Sequence, residues 1–137
     1  MTLVLDSSVT VNWVLNDETT QAVEALFEEI GAYGAIVPSL WRLEVANSLS
    51  VAVYRKRLDM TYRDKILQHL DAMPITIDAH TCTHAWAETL ELADQFRLTL
   101  YDASYLELAL RRRLPLATLD TDLRSAAKKL KIKVLGS

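Results

Sequence analysis

The sequence has 137 residues, 50% of them hydrophobic and 24% charged, and carries a net charge of −3 with His neutral. This length is typical of about one domain, and the single cysteine, Cys82, excludes an internal disulfide. The amino terminus has no basic segment, and no apolar run approaches the roughly 18 residues that cross a membrane. We therefore expect neither a signal peptide nor a membrane span. We expect the protein to be cytoplasmic.

Short apolar runs alternate with helical patterns along the first half of the chain. Residues 2–5 favour a strand, and Ser7 opens a helical pattern that reaches Ile30 with an interruption at Asn16 and Asp17. Gly31 and Gly34 end this pattern. Residues 35–37 predict a second strand, and residues 38–57 predict a long helix that begins at a proline.

The second half repeats the alternation. Residues 61–73 predict a helix capped by Thr61, and Asp78 is predicted to cap a helix that runs to about Phe96. Residues 101–113 predict a buried helix because they are almost wholly apolar apart from the ends. The remaining elements are strands at residues 75–77, 116–118 and 132–135 and a helix at residues 120–130. This order favours one compact α/β/α domain over residues 1–137, with a parallel sheet covered on both faces.

Three acidic residues fall where strands end or helices begin. Asp6 follows the first strand, Asp102 opens the buried helix, and Asp120 follows the fourth strand. Ligands of open parallel sheets bind beyond the carboxyl ends of the strands, so we expect these side chains to converge. Glu44 lies inside a helix among apolar neighbours, where a carboxylate needs compensation. Taken alone, Asp102 or Asp120 is better explained as a helix cap, and Glu44 has the alternative of a solvated helix residue beside Arg42.

Converging carboxylates are typical of a site for Mg²⁺ or Mn²⁺. These hard ions prefer oxygen ligands and retain several waters, so a few carboxylates are sufficient. A bound cation also relieves the repulsion among the acids. Such an ion can activate water and stabilise charge on a phosphate under attack. We therefore predict a metal site, with catalysis, at Asp6, Glu44, Asp102 and Asp120.

Four segments resemble, in order, the successive motifs of PIN domains. They are LVLDSSV at residues 3–9, LEVANSL at 43–49, YDASYLELA at 101–109 and LATLD at 116–120. The compact form is similar to the VapC-type toxins of bacterial toxin–antitoxin pairs. The resemblance implies a PIN-like three-layer α/β/α sandwich with a mainly parallel sheet of four to five strands. It also implies a Mg²⁺- or Mn²⁺-dependent endoribonuclease acting on RNA, usually a homodimer, which a small antitoxin holds inactive.

The family's acids map onto this sequence one by one. The first and third, the usual metal ligands, correspond to Asp6 and Asp102, and the second corresponds to Glu44. The fourth corresponds to Asp120, although Asp122 stands two residues further on, and the division of roles between the two stays open.

Two hydroxyl residues lie beside these acids. We expect Ser8 and Thr118 to orient ligands or water. Capping or turn hydrogen bonds are the alternative for each of them.

Other functions fit parts of the same sequence. A stand-alone RNA-processing nuclease would look similar, and a PIN fold without activity would serve as an RNA-binding or protein-binding module. His80, Cys82 and His84 are arranged like a fragment of a zinc site, but they lack an obvious fourth ligand. A phosphatase with Asp6 as phospho-acceptor would need a second Asp at the position of Ser8.

Charge and apolar residues are unevenly distributed. Residues 103–137 hold eight Lys or Arg against three acids, a net +5, so the first 102 residues carry −8. A phosphate backbone meeting one face suits this asymmetry, and solvated helices are the alternative. The apolar residues of the first half exceed the needs of a small core and predict a two-fold homodimer. Its candidate interface residues are Trp13, Trp41, Val51, Val53 and Tyr54.

Overall fold

Five short strands form one parallel sheet in the order β3-β2-β1-β4-β5 in the computed structural model, which describes residues 1–15 and 19–137. The strands are β1 (Val4–Leu5), β2 (Ala35–Val37), β3 (Ile75–Ile77), β4 (Leu116–Ala117) and β5 (Val134–Leu135). Val4 pairs with Ile36 on one side and with Leu116 on the other, so β1 is central. The interruption predicted at Asn16 and Asp17 lies outside the described residues.

Helices connect the strands in the alternating order expected for a parallel sheet. They are α1 (Ser7–Val14), α2 (Gln21–Tyr33), α3 (Trp41–Tyr54), α4 (Met60–Ala72), α5 (Glu88–Phe96), α6 (Leu100–Arg112) and α7 (Thr121–Lys129). The α/β/α fold predicted from the sequence is confirmed. In the described part of the chain, every helix is too short or too polar to cross a membrane.

A central part of the core lies between the sheet and α6. Strand residues Val4, Leu5 and Leu116 are completely buried, and so are the side chains of Tyr105 and Leu106 on α6. This helix starts one residue before its predicted position because Thr99 caps it, accepting a hydrogen bond from the amide of Asp102 at 3.1 Å. The prediction of a buried helix here is confirmed.

The helix predicted from Asp78 to about Phe96 ends at Phe96 as predicted, but its predicted start is wrong. Residues 79–87 form turns, and α5 begins only at Glu88. The Asp78 carboxylate is buried instead, and accepts hydrogen bonds from the Arg111 guanidinium at 2.7 and 3.1 Å and from Thr81 Oγ1 at 2.9 Å. Asp78 thus keeps hydrogen bonds with its neighbours in sequence and adds a contact with the distant α6, but no helix begins there.

Two smaller boundary predictions also change. Asp59, not Thr61, caps α4, since its Oδ1 accepts from the amide of Tyr62 at 2.7 Å. Gly31 lies inside α2, and Gly34 alone ends it with φ +82°. A Cβ at Gly34 would lie 2.9 Å from the carbonyl oxygen of Pro74, so glycine is needed for both reasons.

Candidate active site

The carboxyl ends of the adjacent strands β1 and β4 bring Asp6 and Thr118 together. The amide of Asp6 donates to the carbonyl of Ala117 at 2.9 Å, which extends the strand pairing to the acid itself. Asp6 is only 4% exposed. Its Oδ2 accepts hydrogen bonds from Ser8 Oγ at 2.6 Å and from Thr118 Oγ1 at 2.7 Å. Two hydroxyls from distant parts of the sequence therefore hold this carboxylate.

The same two hydroxyls also organise the turn between β4 and α7. Ser8 Oγ accepts from the amide of Leu119 at 3.1 Å, and Thr118 Oγ1 accepts from the amide of Asp120 at 3.1 Å. Each hydroxyl donates to Asp6 and accepts from the backbone of the next acid's turn. The turn hydrogen bonds that the sequence left open for Ser8 and Thr118 are thus present, and the same hydroxyls also fix the carboxylate of Asp6.

Asp120 and Asp102 enter the site from the first turns of α7 and α6. Asp120 is the N-cap of α7, with Oδ1 accepting from the amide of Leu123 at 2.8 Å. Asp102 is not a cap, because Thr99 occupies that position on α6. Capping therefore accounts for Asp120 in part, whereas it does not account for the carboxylate of Asp102.

Asp6, Asp102 and Asp120 line one open cavity of about 420 Å³. Among the other lining residues, Asn12 and Ser48 were missed by the sequence interpretation. Their signal was available, since they follow Ser8 and Glu44 by four residues on the same helix faces.

Asp122 does not line this cavity. It borders a neighbouring cavity of about 310 Å³, together with Arg97 and Lys129. The two acids of the fourth motif thus border different cavities. Burial and the charges of Asp6 and Asp120 raise the pKa of Asp102, but the charge of Asp122 still adds to them.

Glu44 stands behind the cavity, half-buried on α3. Its Oε1 accepts a hydrogen bond from the phenol of Tyr105, which lies three residues after Asp102 on α6 and is completely buried. Burial raises the pKa of the Tyr105 hydroxyl far above its usual value, and the charges of Asp6 and Glu44 add to this, so the phenol keeps its proton. The sequence interpretation did not single out Tyr105.

The carboxylates are close enough to influence one another's ionisation. Burial raises the pKa of Asp6 against the lowering effect of its hydrogen bonds with Ser8 and Thr118, and the charge of Asp120 raises it further. Burial also raises the pKa of Asp102, followed by the charges of Asp6 and Asp120. Glu44 follows the same pattern, with burial first, opposed by its bond from Tyr105, and the charges of Asp6 and Asp102 adding. The site concentrates negative charge that a cation would relieve.

The acids surround a space and do not meet at a point. Among residues 1–15 and 19–137, no three His, Cys, Asp or Glu side chains are placed to hold one metal ion directly. An ion among the acids would therefore need water as part of its coordination.

In the segment that resembles a zinc-site fragment, His84 Nδ1 lies 3.0 Å from Glu88 Oε2, and Cys82 is exposed.

Residues 3–129 match the model of the PIN domain family. The chain belongs to this family. PIN domains are nucleases that in general depend on divalent metal ions. No curated protein matches the sequence.

Solved structures share the fold of this PIN domain at low sequence identity. PAE2754 from Pyrobaculum aerophilum aligns with a TM-score of 0.71 and 21% identity, over 98% of this chain and 83% of its own. VapBC2 from Rickettsia felis, bound to a DNA fragment from its promoter, gives 0.63 and 13%, over 98% and 97%. A toxin–antitoxin complex from Klebsiella pneumoniae gives 0.57 and 16%, over 88% of each chain. These likenesses establish the architecture.

Proposed function

We propose that residues 1–137 form a single metal-dependent endoribonuclease domain that hydrolyses RNA phosphodiester bonds and is the toxin of a toxin–antitoxin pair. The observation that carries the nuclease proposal is the cavity lined by Asp6, Asp102 and Asp120 at the carboxyl edge of a PIN-family sheet. The toxin role is supported by the fold shared with the Klebsiella pneumoniae complex. A cytoplasmic location goes with it, because a lone thiol such as Cys82 needs no oxidising compartment.

The donor set fits Mg²⁺, with Mn²⁺ as the alternative. All candidate ligands are carboxylate oxygens, and both ions accept such ligands together with several waters. Asp6, Asp102 and Asp120 would hold the ion in part through water, and Glu44 would complete the site from α3. When bound, the ion supplies an activated water and neutralises charge on the phosphate.

The chain's own residues prepare the cavity for this chemistry. Hydrogen bonds from Ser8 and Thr118 favour the ionised form of the buried Asp6 and fix its orientation. The cap bond of Asp120 fixes a second carboxylate relative to the backbone. No His is among the described residues that line the cavity, so we propose attack by water, which leaves 5′-phosphate and 3′-hydroxyl ends.

Substitution of the acids tests the assignment. Asp6→Asn and Asp102→Asn should each abolish metal-dependent RNA cleavage and leave the fold intact, because the amide keeps the shape and removes the charge. The melting temperature should stay constant or rise, since burial and mutual repulsion oppose both charges. Asp94→Asn, an exposed acid on α5, is the matched control. Cleavage by either site variant at the wild-type rate would show that the site is misassigned.

RNA cleavage with Mg²⁺ and with EDTA separates the alternatives. Cleavage that EDTA abolishes supports the nuclease, whereas RNA binding without cleavage supports a non-catalytic module. We propose that the antitoxin occupies the acid cluster with an Arg or Lys, since bidentate Arg–carboxylate pairing competes with a metal. Co-expression that leaves Mg²⁺-dependent cleavage undiminished would contradict this inhibition. A stand-alone processing nuclease is favoured instead if no antitoxin binds.

We also propose a homodimer, through an interface that keeps Tyr54 from the expected residues and adds Leu43. Trp41 is only 5% exposed and belongs to the interior, and Trp13 is partly buried and stacks on Phe27 with ring centroids 4.0 Å apart. The face of α3 that carries Leu43 and Tyr54 is open, with these side chains 76% and 90% exposed. Light scattering should give the dimer mass for the wild type and a monomer for Leu43→Glu/Tyr54→Glu. A wild-type monomer at micromolar concentration would contradict the proposal.

A further inference from the structure

The basic residues of the C-terminal part do not surround the acid cavity. Two of the eight are engaged internally, Arg111 with Asp78 and Glu107, and Arg124 with the carbonyl of Thr118 at 2.6 Å and Ser137 Oγ at 2.7 Å. The other six are exposed. Their location decides whether the positive charge has a common surface.

Four of these six lie together at the opposite edge of the sheet. Arg112 and Arg113 end α6 just before β4, and Lys131 and Lys133 follow α7 just before β5. Because β4 and β5 are parallel neighbours, both segments enter the sheet side by side, and the amide of Leu116 donates to the carbonyl of Lys133 at 2.9 Å. We name Arg112, Arg113, Lys131 and Lys133 the far basic patch.

The length of α6 separates the far basic patch from the acid cavity. Asp102 lies in the first turn of this helix and Arg112 is its last residue. At about 1.5 Å per residue, the helix places them roughly 15 to 20 Å apart. A polyanion that contacts both regions must therefore extend well beyond the bond held at the acids.

No ion pair within the chain explains the charge of all four side chains of the patch. All four are exposed, and none forms an ion pair with any residue the structure describes. Arg113 and Lys131 have φ of 56° and 59°, the left-handed region in which glycine is favoured by roughly 1 kcal/mol. Favourable contact with the helix dipole accounts for charge at a helix end. It does not account for Lys133, which stands beyond α7.

We propose that the far basic patch binds the phosphate backbone of the RNA substrate at a distance from the cleaved bond, so that long or folded RNA is preferred over short RNA. This inference rests on the proposed ribonuclease function. The acids of the cavity repel a polyanion, and the first 102 residues carry −8, so attraction must come from another surface. Exposed Lys and Arg side chains on one edge supply it through release of counterions from the phosphates.

The test compares two matched triple variants, both in an Asp102→Asn background that leaves RNA uncut. One carries Arg113→Gln, Lys131→Gln and Lys133→Gln. The control removes three exposed charges from the connection between α3 and α4 and from α4 itself, with Arg55→Gln, Lys56→Gln and Lys65→Gln. Lys56 also has a left-handed backbone, with φ of 61°, so each variant alters such a position. Fluorescence anisotropy then gives the affinity for bulk tRNA and for a uridine hexanucleotide as the salt concentration is varied.

The patch variant should bind tRNA about 10- to 100-fold more weakly, and its slope of log affinity against log salt should fall by about 2 to 3. Its affinity for the hexanucleotide and its melting temperature should match those of the control. The proposal would be overturned if the two variants bound tRNA equally well, or if the patch variant lost as much affinity for the hexanucleotide as for tRNA. In either case, Mg²⁺-dependent cleavage by the wild type would still support the proposed function. Absence of both RNA binding and cleavage in the wild type would overturn both.

Discussion

A carboxylate as deeply buried as Asp6 stays ionised only if the protein compensates its charge. Ser8 and Thr118 do so in part through two short hydrogen bonds to the same oxygen. Burial nevertheless raises the pKa of this group. The residual cost is the physical reason to expect a cation, and the reason why a neutral amide at this position should be tolerated by the fold.

At Asp120 and Asp122, substitution by Asn separates charge from helix capping. Asn caps helices about as well as Asp, so α7 should keep its N-terminus in Asp120→Asn. We expect this variant to lose most of its cleavage rate because Asp120 lines the cavity, and Asp122→Asn to lose much less. Steady-state cleavage of one RNA by both variants is the measurement. The reverse order would mean that Asp122 is the fourth acid.

Tyr105 is a positioning residue whose role can be tested by Tyr105→Phe. The change removes only the hydroxyl that donates to Glu44, and outer hydrogen bonds of this kind typically contribute 10- to 100-fold to metal affinity or activity. We expect Tyr105→Phe to weaken Mn²⁺ binding by a factor in that range, as measured by calorimetry. In a Glu44→Gln background the same substitution should have little further effect, because the two side chains act as one unit. Additive losses would show that Tyr105 does not act through Glu44.

At the scale of elements, α5 and α6 show what local sequence patterns contain. The apolar run of α6 and its cap at Thr99 are local features, and they place this helix within one residue of its prediction. The sequence after Asp78 has the pattern of a capped helix, but the Asp78 carboxylate binds Arg111, which is 33 residues away. A contact between distant residues leaves no trace in a local pattern, so this part of the fold could not be predicted.

The contact between Asp78 and Arg111 should stabilise the protein in a pH-dependent way. Burial opposes ionisation of Asp78, but hydrogen bonds from Arg111 and Thr81 prevail and lower its pKa from the usual 3.8. Its contribution is therefore present above that value and is lost as the pH falls below it. Asp78→Asn should lower the free energy of unfolding by about 2 to 3 kcal/mol at neutral pH.

Urea unfolding of both proteins across a pH series measures this effect. The difference between them should shrink at pH values below 3.8, because the wild type then loses what the variant already lacks. Asp94→Asn is the control for removal of an exposed carboxylate. A difference that stays constant with pH would show that packing, and not the ion pair, carries the stability.

At the scale of the whole molecule, the positions of the acids in the fold could be predicted from the sequence better than the side chains that bind them. Three acids follow strands or open helices, and parallel topology brings such positions to one edge of the sheet. The bond from Tyr105 to Glu44 depends on how α6 crosses α3, which no spacing within either helix specifies. The far basic patch likewise arises only when β4 and β5 become neighbours, since its two halves are separated by all of α7.

The strand pairing that reaches Asp6 and Thr118 has a consequence for motion on slow timescales. Their amides donate to Ala117 on β4 and to Leu135 on the edge strand β5, and Asp6 and Thr118 are both buried, whereas the amide of Asp102 bonds to the exposed Thr99 hydroxyl in a first helical turn. In deuterium exchange followed by NMR, the amides of Asp6 and Thr118 should exchange only through global opening, and that of Asp102 through local fraying. Equal protection of all three would contradict this division. If the division holds, the wall of the site formed by the ends of β1 and β4 is as rigid as the core, and the wall formed by α6 is the one that adjusts to a bound RNA.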